Sequence, residues 1–223
     1  MSDFERNRPQ ALDRESFFAA TRVSRETMTD LAVYESLLLK WQKRINLVSA
    51  KSLSDLWRRH MLDSFQLTER APARARRWVD LGSGGGFPGL VVAILLKDRP
   101  GMTVHLIDSD TRKCAFLRHV ALETGAPVTV HRARIEDLGP TDFGGPADIV
   151  SARACAPLPS LLALAAPFFA DSTVGLFLKG QHVEEELTAA RKCWTLETVV
   201  HPSVSDPAGC VLEIKHPVLQ RSE

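Results

Sequence analysis

The stretch at residues 78–96, WVDLGSGGGFPGLVVAILL, joins a short apolar run, a glycine-rich segment and a second apolar run. Five glycines fall between residues 82 and 89. Glycines gather this densely where a backbone turns sharply or lets a ligand approach the main chain. The stretch therefore predicts a β-strand, a ligand-binding turn and an α-helix, with Pro88 in the first helical turn, where its missing N–H has no cost.

Short apolar runs alternate with helical stretches over the rest of the chain, which is typical of a parallel sheet covered by helices on both faces. The last two runs are separated by too few residues for a helical crossover, so we expect them to pair antiparallel. The sequence thus predicts an α/β fold: a doubly wound, Rossmann-like, mostly parallel seven-stranded sheet with an antiparallel last strand. The predicted strands are 78–81, 104–108, 127–133, 147–152, 173–180, 195–201 and 209–215, and the helices between them are 88–97, 112–124, 158–169 and 182–193.

The N-terminal part has a helical pattern instead. Helices are predicted at 11–21 and 26–46, and a third is predicted to start at Ser52, where Asp55 completes a capping box. We expect residues 1–70 to form a helical extension that packs on a catalytic domain at 71–223, in one globular unit. The second helix carries an apolar stripe at 3–4 spacing, formed by Leu31, Tyr34, Leu38, Trp41 and Ile45.

Composition narrows the classes of protein. The chain has 223 residues, a net charge of +1 and 25% charged residues, which argues against a protein that coats nucleic acid. The first ten residues are polar and predict no secretory signal, and no stretch reaches the roughly 20 apolar residues of a membrane span. The four cysteines are far apart, so neither a zinc site nor a disulfide framework is expected. We expect a cytoplasmic protein without a bound metal.

The register of the glycines selects the ligand. From Gly84 the segment GGGFPG matches the dinucleotide pattern GxGxxG, but in that pattern the first glycine follows the strand directly, and here that residue is Gly82. Asp80, near the strand end, would repel a pyrophosphate and attract an ammonium group. S-adenosylmethionine carries an ammonium group and no phosphate. The pattern therefore favours S-adenosylmethionine, bound around Asp80, Gly82, Gly84 and Gly86, over the nicotinamide cofactor of a reductase.

Two further strand ends supply candidate site residues. Asp108 ends the run VHLID, 22 positions after Gly86, where a carboxylate suits the ribose hydroxyls of the cofactor. Arg153 lies in SARACAPLPS, where methyltransferases that act on exocyclic amines carry an Asn/Asp-Pro-Pro-aromatic clamp. No such clamp is present, which disfavours an exocyclic amine as the acceptor. An arginine placed there grips a phosphate or base edge, or closes over the cofactor.

Seven stretches together resemble one known family, the bacterial 16S (small-subunit) ribosomal RNA guanine-N7 methyltransferases, also called glucose-inhibited division protein B. They occur in the family's order over residues 41–187. Gln42 departs from the family, where Asn is usual, and the C-terminal hairpin matches only loosely. The seven stretches are WQKRINLVS, RRHMLDS, DLGSGGGFPG, LIDSDTRKCAFLRHV, RARIEDL, SARACAPL and LKGQHVEEEL.

The resemblance implies a class I methyltransferase fold and assigns roles to single residues. In addition to the RNA-facing residues that the resemblance implies, which are given below, we expect Arg58 and Arg59 to frame the RNA cleft. His60 is left as either an RNA contact or a structural residue. Phe87 is expected either at the exposed tip of the loop, where it would stack on the guanine or line the methyl site, or packed under the start of the following helix. The implied cofactor contacts are Gly82, Phe87, Ile135, Glu136 and Arg153, and the implied RNA-facing residues are Arg134 and Lys179.

The implied chemistry needs no general base, because guanine N7 has an in-plane lone pair and carries no proton. Arg153 and Lys179 are then expected to act as positioning groups. The expected partner is 16S ribosomal RNA or the small ribosomal subunit, bound by a monomer, with a loop guanine drawn into the site. Two alternatives stay open: a methyltransferase for a small molecule, and a ribosome-assembly factor without catalysis.

Overall fold

Seven strands form one sheet in the order β3-β2-β1-β4-β5-β7-β6. This computed structural model describes residues 12–220, so the expectation about the first ten residues and the outer ends of the segments 1–70 and 71–223 lie outside the described part. The strands are β1 (Arg77–Leu81), β2 (Thr103–Asp108), β3 (Val128–Arg132), β4 (Ile149–Arg153), β5 (Val174–Lys179), β6 (Trp194–Pro202) and β7 (Cys210–Leu219).

Strand pairing confirms the predicted topology. The five strands from β3 to β5 are parallel neighbours. β7 lies antiparallel between β5 and β6, as the short connection before it predicted. The order reverses between β1 and β4, and ligands of such sheets bind outside the carboxyl ends of the strands at this point. The helices that follow the parallel strands are α5 (Gly89–Leu95), α6 (Thr111–Thr124), α7 (Leu158–Ala165) and α8 (Val183–Ala190).

The N-terminal extension is helical, but its boundaries differ from the prediction. The second helix ends at Gln42, because the Gln42 side chain bonds the main chain of Leu47 and Val48 and turns the chain back. The prediction of a helix start at Ser52 was wrong: Ser49 is the cap, and its hydroxyl accepts from the Ser52 N–H. The elements are α1 (Arg14–Thr21), α2 (Arg25–Gln42), α3 (Ala50–Leu53), a π-helical segment (Trp57–Leu62) and α4 (Asp63–Arg70).

Two apolar clusters cover the two faces of the sheet. Neighbouring residues of β1 separate between them: Trp78 belongs to one cluster and Val79 to the other. Leu31 of α2 and Val91 of α5 share the cluster of Trp78, so the extension packs on the sheet domain through that face. Within residues 12–220 no helix is both long enough and apolar enough to cross a membrane.

Candidate functional site

An open cavity of about 1010 Å³ lies at the carboxyl ends of β1, β4 and β5, where the strand order reverses. One side is the glycine loop, residues 82–87. Another comes from the segments that follow β4 and β5, with Arg153 and Lys179. The N-terminal extension closes the cavity with residues 47–49 and with the side chains of Arg59, His60 and Asp63. The cavity therefore combines residues from the whole length of the chain.

The glycine loop adopts the backbone that its sequence predicts. Gly82, Gly84 and Gly86 all have positive φ, at 65°, 55° and 94°. L-residues other than glycine pay a steric cost in this region. The N–H of Gly84 donates to Asp108 Oδ2 at 2.9 Å, so the acidic end of β2 holds the loop. The other oxygen of Asp108 accepts from the N–H of Asp110 at 2.8 Å.

The three glycines do not have one role. Gly82 and Gly84 line the cavity, and a Cβ on Gly84 would have nothing closer than 3.8 Å. A Cβ on Gly86 would lie 2.6 Å from the Tyr34 hydroxyl and 2.9 Å from Leu90. Gly86 is not part of the lining, so the structure explains this glycine by packing, and its contact with the cofactor stays a prediction.

Asp80 lies beneath the loop and is fully buried. Its Oδ1 accepts from the Ser151 hydroxyl at 2.6 Å, and that hydroxyl accepts in turn from the Trp78 indole N–H at 2.8 Å. Its Oδ2 is buried and has no hydrogen-bond partner within residues 12–220. Burial raises the pKa of Asp80 to about 6, although the bond from Ser151 lowers it. An unpaired buried carboxylate oxygen is an atom that a cationic group would satisfy.

The structure favours the packed alternative for Phe87, because its side chain is 3% exposed and does not form a free loop tip. Its ring stacks on Tyr34 with the ring centroids 5.1 Å apart, and its centroid lies 4.5 Å from that of the His60 ring. The Tyr34 hydroxyl donates to the Gly85 carbonyl. The sequence pattern places Tyr34 only in an apolar stripe of α2. A buried tyrosine needs a partner for its hydroxyl, and this is the signal that marked its second role.

Arg153 joins the two sides of the cavity. Its guanidinium lies 5.3 Å from the centre of the Phe87 ring, and its Nη1 donates to the Arg59 carbonyl at 2.9 Å. Asp63 Oδ2 lies 4.0 Å from the same nitrogen. Burial lowers the pKa of Arg153, and the charge of Asp63 opposes this effect. The guanidinium thus stands at the junction between the glycine loop and the extension.

His60 is buried, at 3% exposure. Neither ring nitrogen has a hydrogen-bond partner in the described part of the chain, and both are shielded from solvent. Burial, together with the charges of Arg153 and Arg59, lowers the pKa of His60 to about 2. The ring is therefore neutral and packs on Phe87. This geometry favours the structural alternative for His60.

The remaining predicted site residues differ in exposure. Lys179 is 8% exposed and donates to Glu186 at 2.7 Å and to the Ala156 carbonyl at 3.0 Å, so a contact with RNA would have to compete with both. Arg59 is half exposed and pairs with Asp206 at 2.9 Å. Arg58 lies 3.3 Å from Asp55, Arg134 and Glu136 are exposed, and Ile135 is half-buried. The predicted site residues that do not line the cavity are Arg58, Asp80, Gly86, Asp108, Arg134, Ile135 and Glu136.

The sheet order, the glycine loop and the acidic ends of β1 and β2 define a class I S-adenosylmethionine-dependent methyltransferase. Solved structures share this fold. The cofactor-bound Rv0187 from MTB is similar with a TM-score of 0.62 and 18% identity, over 94% of this chain and 99% of that one. A SAM-dependent methyltransferase from Aquifex aeolicus is similar with a TM-score of 0.57 and 12% identity, over 74% and 96%.

Sequence comparison then identifies the family. The family model for rRNA small subunit methyltransferase G matches residues 27–210, and the chain belongs to this family. The ribosomal RNA small subunit methyltransferase G of Parvibaculum lavamentivorans is 59% identical over 207 residues, which cover 93% of this chain and 91% of that protein. The resemblance drawn from the seven sequence stretches is confirmed.

Proposed function

We propose that this chain transfers the methyl group of S-adenosylmethionine to N7 of an unpaired loop guanine in 16S ribosomal RNA. The observation that carries the proposal is the single cavity shared by the glycine loop and the N-terminal extension, in a member of this family. Its volume of about 1010 Å³ lies at the upper end of the range for one drug-sized ligand. It opens to solvent, so a base attached to a long RNA has access.

The residues around the loop fit the cofactor. Gly82 and Gly84 line the cavity without side chains, and Asp80 Oδ2, buried without a partner among residues 12–220, is the acceptor that we assign to the ammonium group. Asp108 keeps free lone pairs for the ribose hydroxyls, since within residues 12–220 its Oδ2 accepts one bond, from the Gly84 N–H, and its Oδ1 accepts one, from the Asp110 N–H. Ile135 and Glu136 would flank the adenine, as the family resemblance implies. When bound, the cofactor supplies a methyl group on a positively charged sulfur, which keeps the carbon–sulfur electron pair as N7 takes the methyl.

The reaction requires the protein to align the guanine with the methyl group, and it does not require a side chain to transfer a proton. Guanine N7 attacks with its lone pair and loses no proton, so the protein must hold the base in line with the methyl group and exclude water. Phe87 and Arg153 are suited to this because Phe87 is buried at the cavity and the half-buried Arg153 guanidinium lies 5.3 Å from the centre of its ring. We therefore assign Arg153 a positioning role.

RNA contact falls to the exposed cations. Arg134 after β3 is exposed, and Arg59 at the cavity is half exposed although it pairs with Asp206. Arg58 and Lys179 lie in less exposed ion pairs and would contribute after those pairs open. The major groove of duplex RNA is too narrow for side chains, so the guanine should come from a loop and leave its stack. The partner is the RNA alone or the assembled small subunit, bound in the cytoplasm by a monomer.

The test is transfer of labelled methyl from S-adenosylmethionine to small ribosomal subunits and to their protein-free RNA, followed by nucleoside analysis. We expect labelled 7-methylguanosine, and the comparison of the two substrates shows whether ribosomal proteins are needed. Label in a different nucleoside would refute the proposed atom. Cofactor binding without label in either substrate would refute the RNA substrate and favour the small-molecule alternative.

A further inference from the structure

Asp63 is an acidic side chain of the cavity that the reaction described so far does not use. It is the first residue of α4 and is largely buried, with a side chain 17% exposed. Its Oδ1 accepts from the Ser205 hydroxyl at 2.6 Å and from the Gln66 amide at 2.8 Å, which fixes the carboxylate. Its Oδ2 accepts no hydrogen bond from any residue between 12 and 220, since Arg153 Nη1 is 4.0 Å away. One oxygen of a fixed carboxylate is therefore available to a ligand.

The two other acidic side chains of the cavity lining are engaged differently. Asp206 lies 2.9 Å from Arg59, and Glu186 lies 2.7 Å from Lys179. Each shares its charge with a cation at hydrogen-bond distance. Arg153, the cation nearest to Asp63, instead gives Nη1 to a main-chain carbonyl of the extension. Burial raises the pKa of Asp63, which shows that its negative charge is poorly solvated in the absence of a ligand.

We propose that the free oxygen of Asp63 accepts hydrogen bonds from N1–H and N2–H of the target guanine. This inference rests on the proposed guanine-N7 methylation. Guanine is the RNA base that presents two adjacent donors on this edge, and a carboxylate accepts from both. The N1–N2 edge and N7 lie on opposite sides of the purine, so this contact leaves N7 free to face the cofactor. Asp63 thereby selects guanine over adenine, which has an unprotonated N1.

The same contact assists the reaction. As N7 forms its bond to the methyl carbon, positive charge appears on the purine, and the carbon–sulfur electrons neutralise the sulfonium. The charge on the purine makes N1–H and N2–H stronger donors. Their bonds to Asp63 therefore strengthen from the bound state to the transition state, and only such interactions accelerate the chemical step. Asp63 acts here as a catalytic residue that touches the substrate without taking its proton.

The experiment compares the same substitution at two carboxylates, one in the cavity and one outside it. Asp63→Asn replaces the carboxylate with a neutral amide, and we expect kcat on small subunits to fall about 10- to 100-fold, with unchanged affinity for S-adenosylmethionine. Asp148→Asn makes this change outside the cavity lining, at a carboxylate that accepts from the main-chain N–H groups of Arg76 and Arg77 at 2.7 and 2.8 Å. It should lower the melting temperature while kcat changes less than about threefold. Equal losses of kcat in the two variants would show that Asp63 only supports the fold, and would overturn the inference.

A second arm reads the base contact itself. After the modified position is mapped, small-subunit RNA is ligated with inosine there, which removes the 2-amino group and keeps N7. We expect the wild type to lose at least about fivefold in kcat/KM on inosine, and Asp63→Asn to treat both bases alike. Persistent discrimination by Asp63→Asn would overturn the inference. Failure of the proposed function would look different: the wild type would then yield no 7-methylguanosine.

Discussion

Two walls of the same cavity were built in different ways. The glycine loop, residues 82–87, takes its shape from its own sequence. Three of its glycines have positive φ, and the Gly84 N–H donates to Asp108, which lies only 24 positions further along the chain. The opposite side, here called the assembled wall, consists of Arg59, His60, Asp63, Arg153, Ser205 and Asp206. Its bonds span the chain: 94 residues from Arg59 to Arg153, 142 from Asp63 to Ser205 and 147 from Arg59 to Asp206.

The difference concerns what each wall can do. A loop whose backbone is set locally offers main-chain groups at fixed positions, which suits a cofactor that every member of the class binds. The assembled wall brings two arginines, the largely buried Asp63 carboxylate and one neutral imidazole together from separate segments. Side chains gathered in this way suit a specific substrate. Breaking the loop should therefore affect folding and cofactor binding, whereas breaking the assembled wall should affect turnover.

The largest effect is expected from the glycine loop. Gly86→Ala should lower the free energy of unfolding by about 3 kcal/mol, because its Cβ would press on the Tyr34 hydroxyl and Leu90 at a φ of 94°. Gly84→Ala is the matched control, since its Cβ faces open space and costs only about 1 kcal/mol of backbone strain. Urea denaturation measures both. Equal stability losses would mean that Gly86 does not pack as described.

The next prediction concerns how stability depends on pH, which should differ between Asp80, beneath the glycine loop, and His60, in the assembled wall. Asp80 has a folded pKa near 6 against an ordinary 3.8, so its stabilising contribution is complete below about pH 4 and is lost as the pH rises through 6. Relative to the wild type, Asp80→Asn should gain about 3 kcal/mol between pH 4 and pH 7. His60 has the opposite sign, because its lowered pKa keeps the ring neutral while the unfolded chain protonates below about 6.5.

His60→Gln is therefore the counterpart of Asp80→Asn. Relative to the wild type it should lose stability as the pH rises from 4 to 7, since the wild type regains the stability that its buried neutral ring costs at low pH. Denaturation curves at four pH values measure both slopes. If stability relative to the wild type changed with pH in the same direction in both variants, that result would contradict the raised pKa of Asp80 and the lowered pKa of His60.

Arg153 tests the junction of the walls. Arg153→Ala removes the bond to the Arg59 carbonyl and the cation above Phe87, and should lower methyl transfer at least about tenfold while the chain stays folded. Arg153→Lys keeps the charge but lacks the planar guanidinium, so it should recover only part of the rate. Steady-state kinetics and a thermal melt read both variants. Unchanged turnover in Arg153→Ala would remove Arg153 from the site.

The smallest effect on stability is expected at the exposed edge of the assembled wall. Arg59→Ala breaks a half-exposed ion pair with Asp206 and should cost less than about 1 kcal/mol. If Arg59 contacts a phosphate, the slope of log K against log salt for RNA binding should fall by about one. Arg74→Ala, an exposed residue before the amino end of β1, is the control and should leave the slope unchanged. A slope that stays the same in both variants would exclude Arg59 from the RNA interface.

The strands of the sheet could be predicted almost completely from the sequence. Apolar runs indicate the strands and the short last connection indicates antiparallel pairing, and both are local features of the chain. The extension was predicted less well. The start of α3 and the end of α2 depend on which side chain bonds the nearby main chain, and both Ser49 and Gln42 were overlooked. The position of Phe87 was left open between an exposed tip and a packed site, because its sequence neighbours gave no sign that Tyr34 and His60 would cover it.

The amino-acid sequence by itself determined the fold class, the glycine turn and the cofactor, since each depends on residues close together in the chain. The seven sequence stretches were also sufficient to recognise the family. Tertiary structure alone decided the environment of each site residue. It buried Asp80 with one oxygen that has no partner in the described part of the chain, and it kept His60 neutral. It also paired Lys179 with Glu186 and placed Asp63 beside Arg153. The physical reason is that burial and charge pairing arise between segments that are distant in sequence, and the packing of the extension on the sheet brings those segments together.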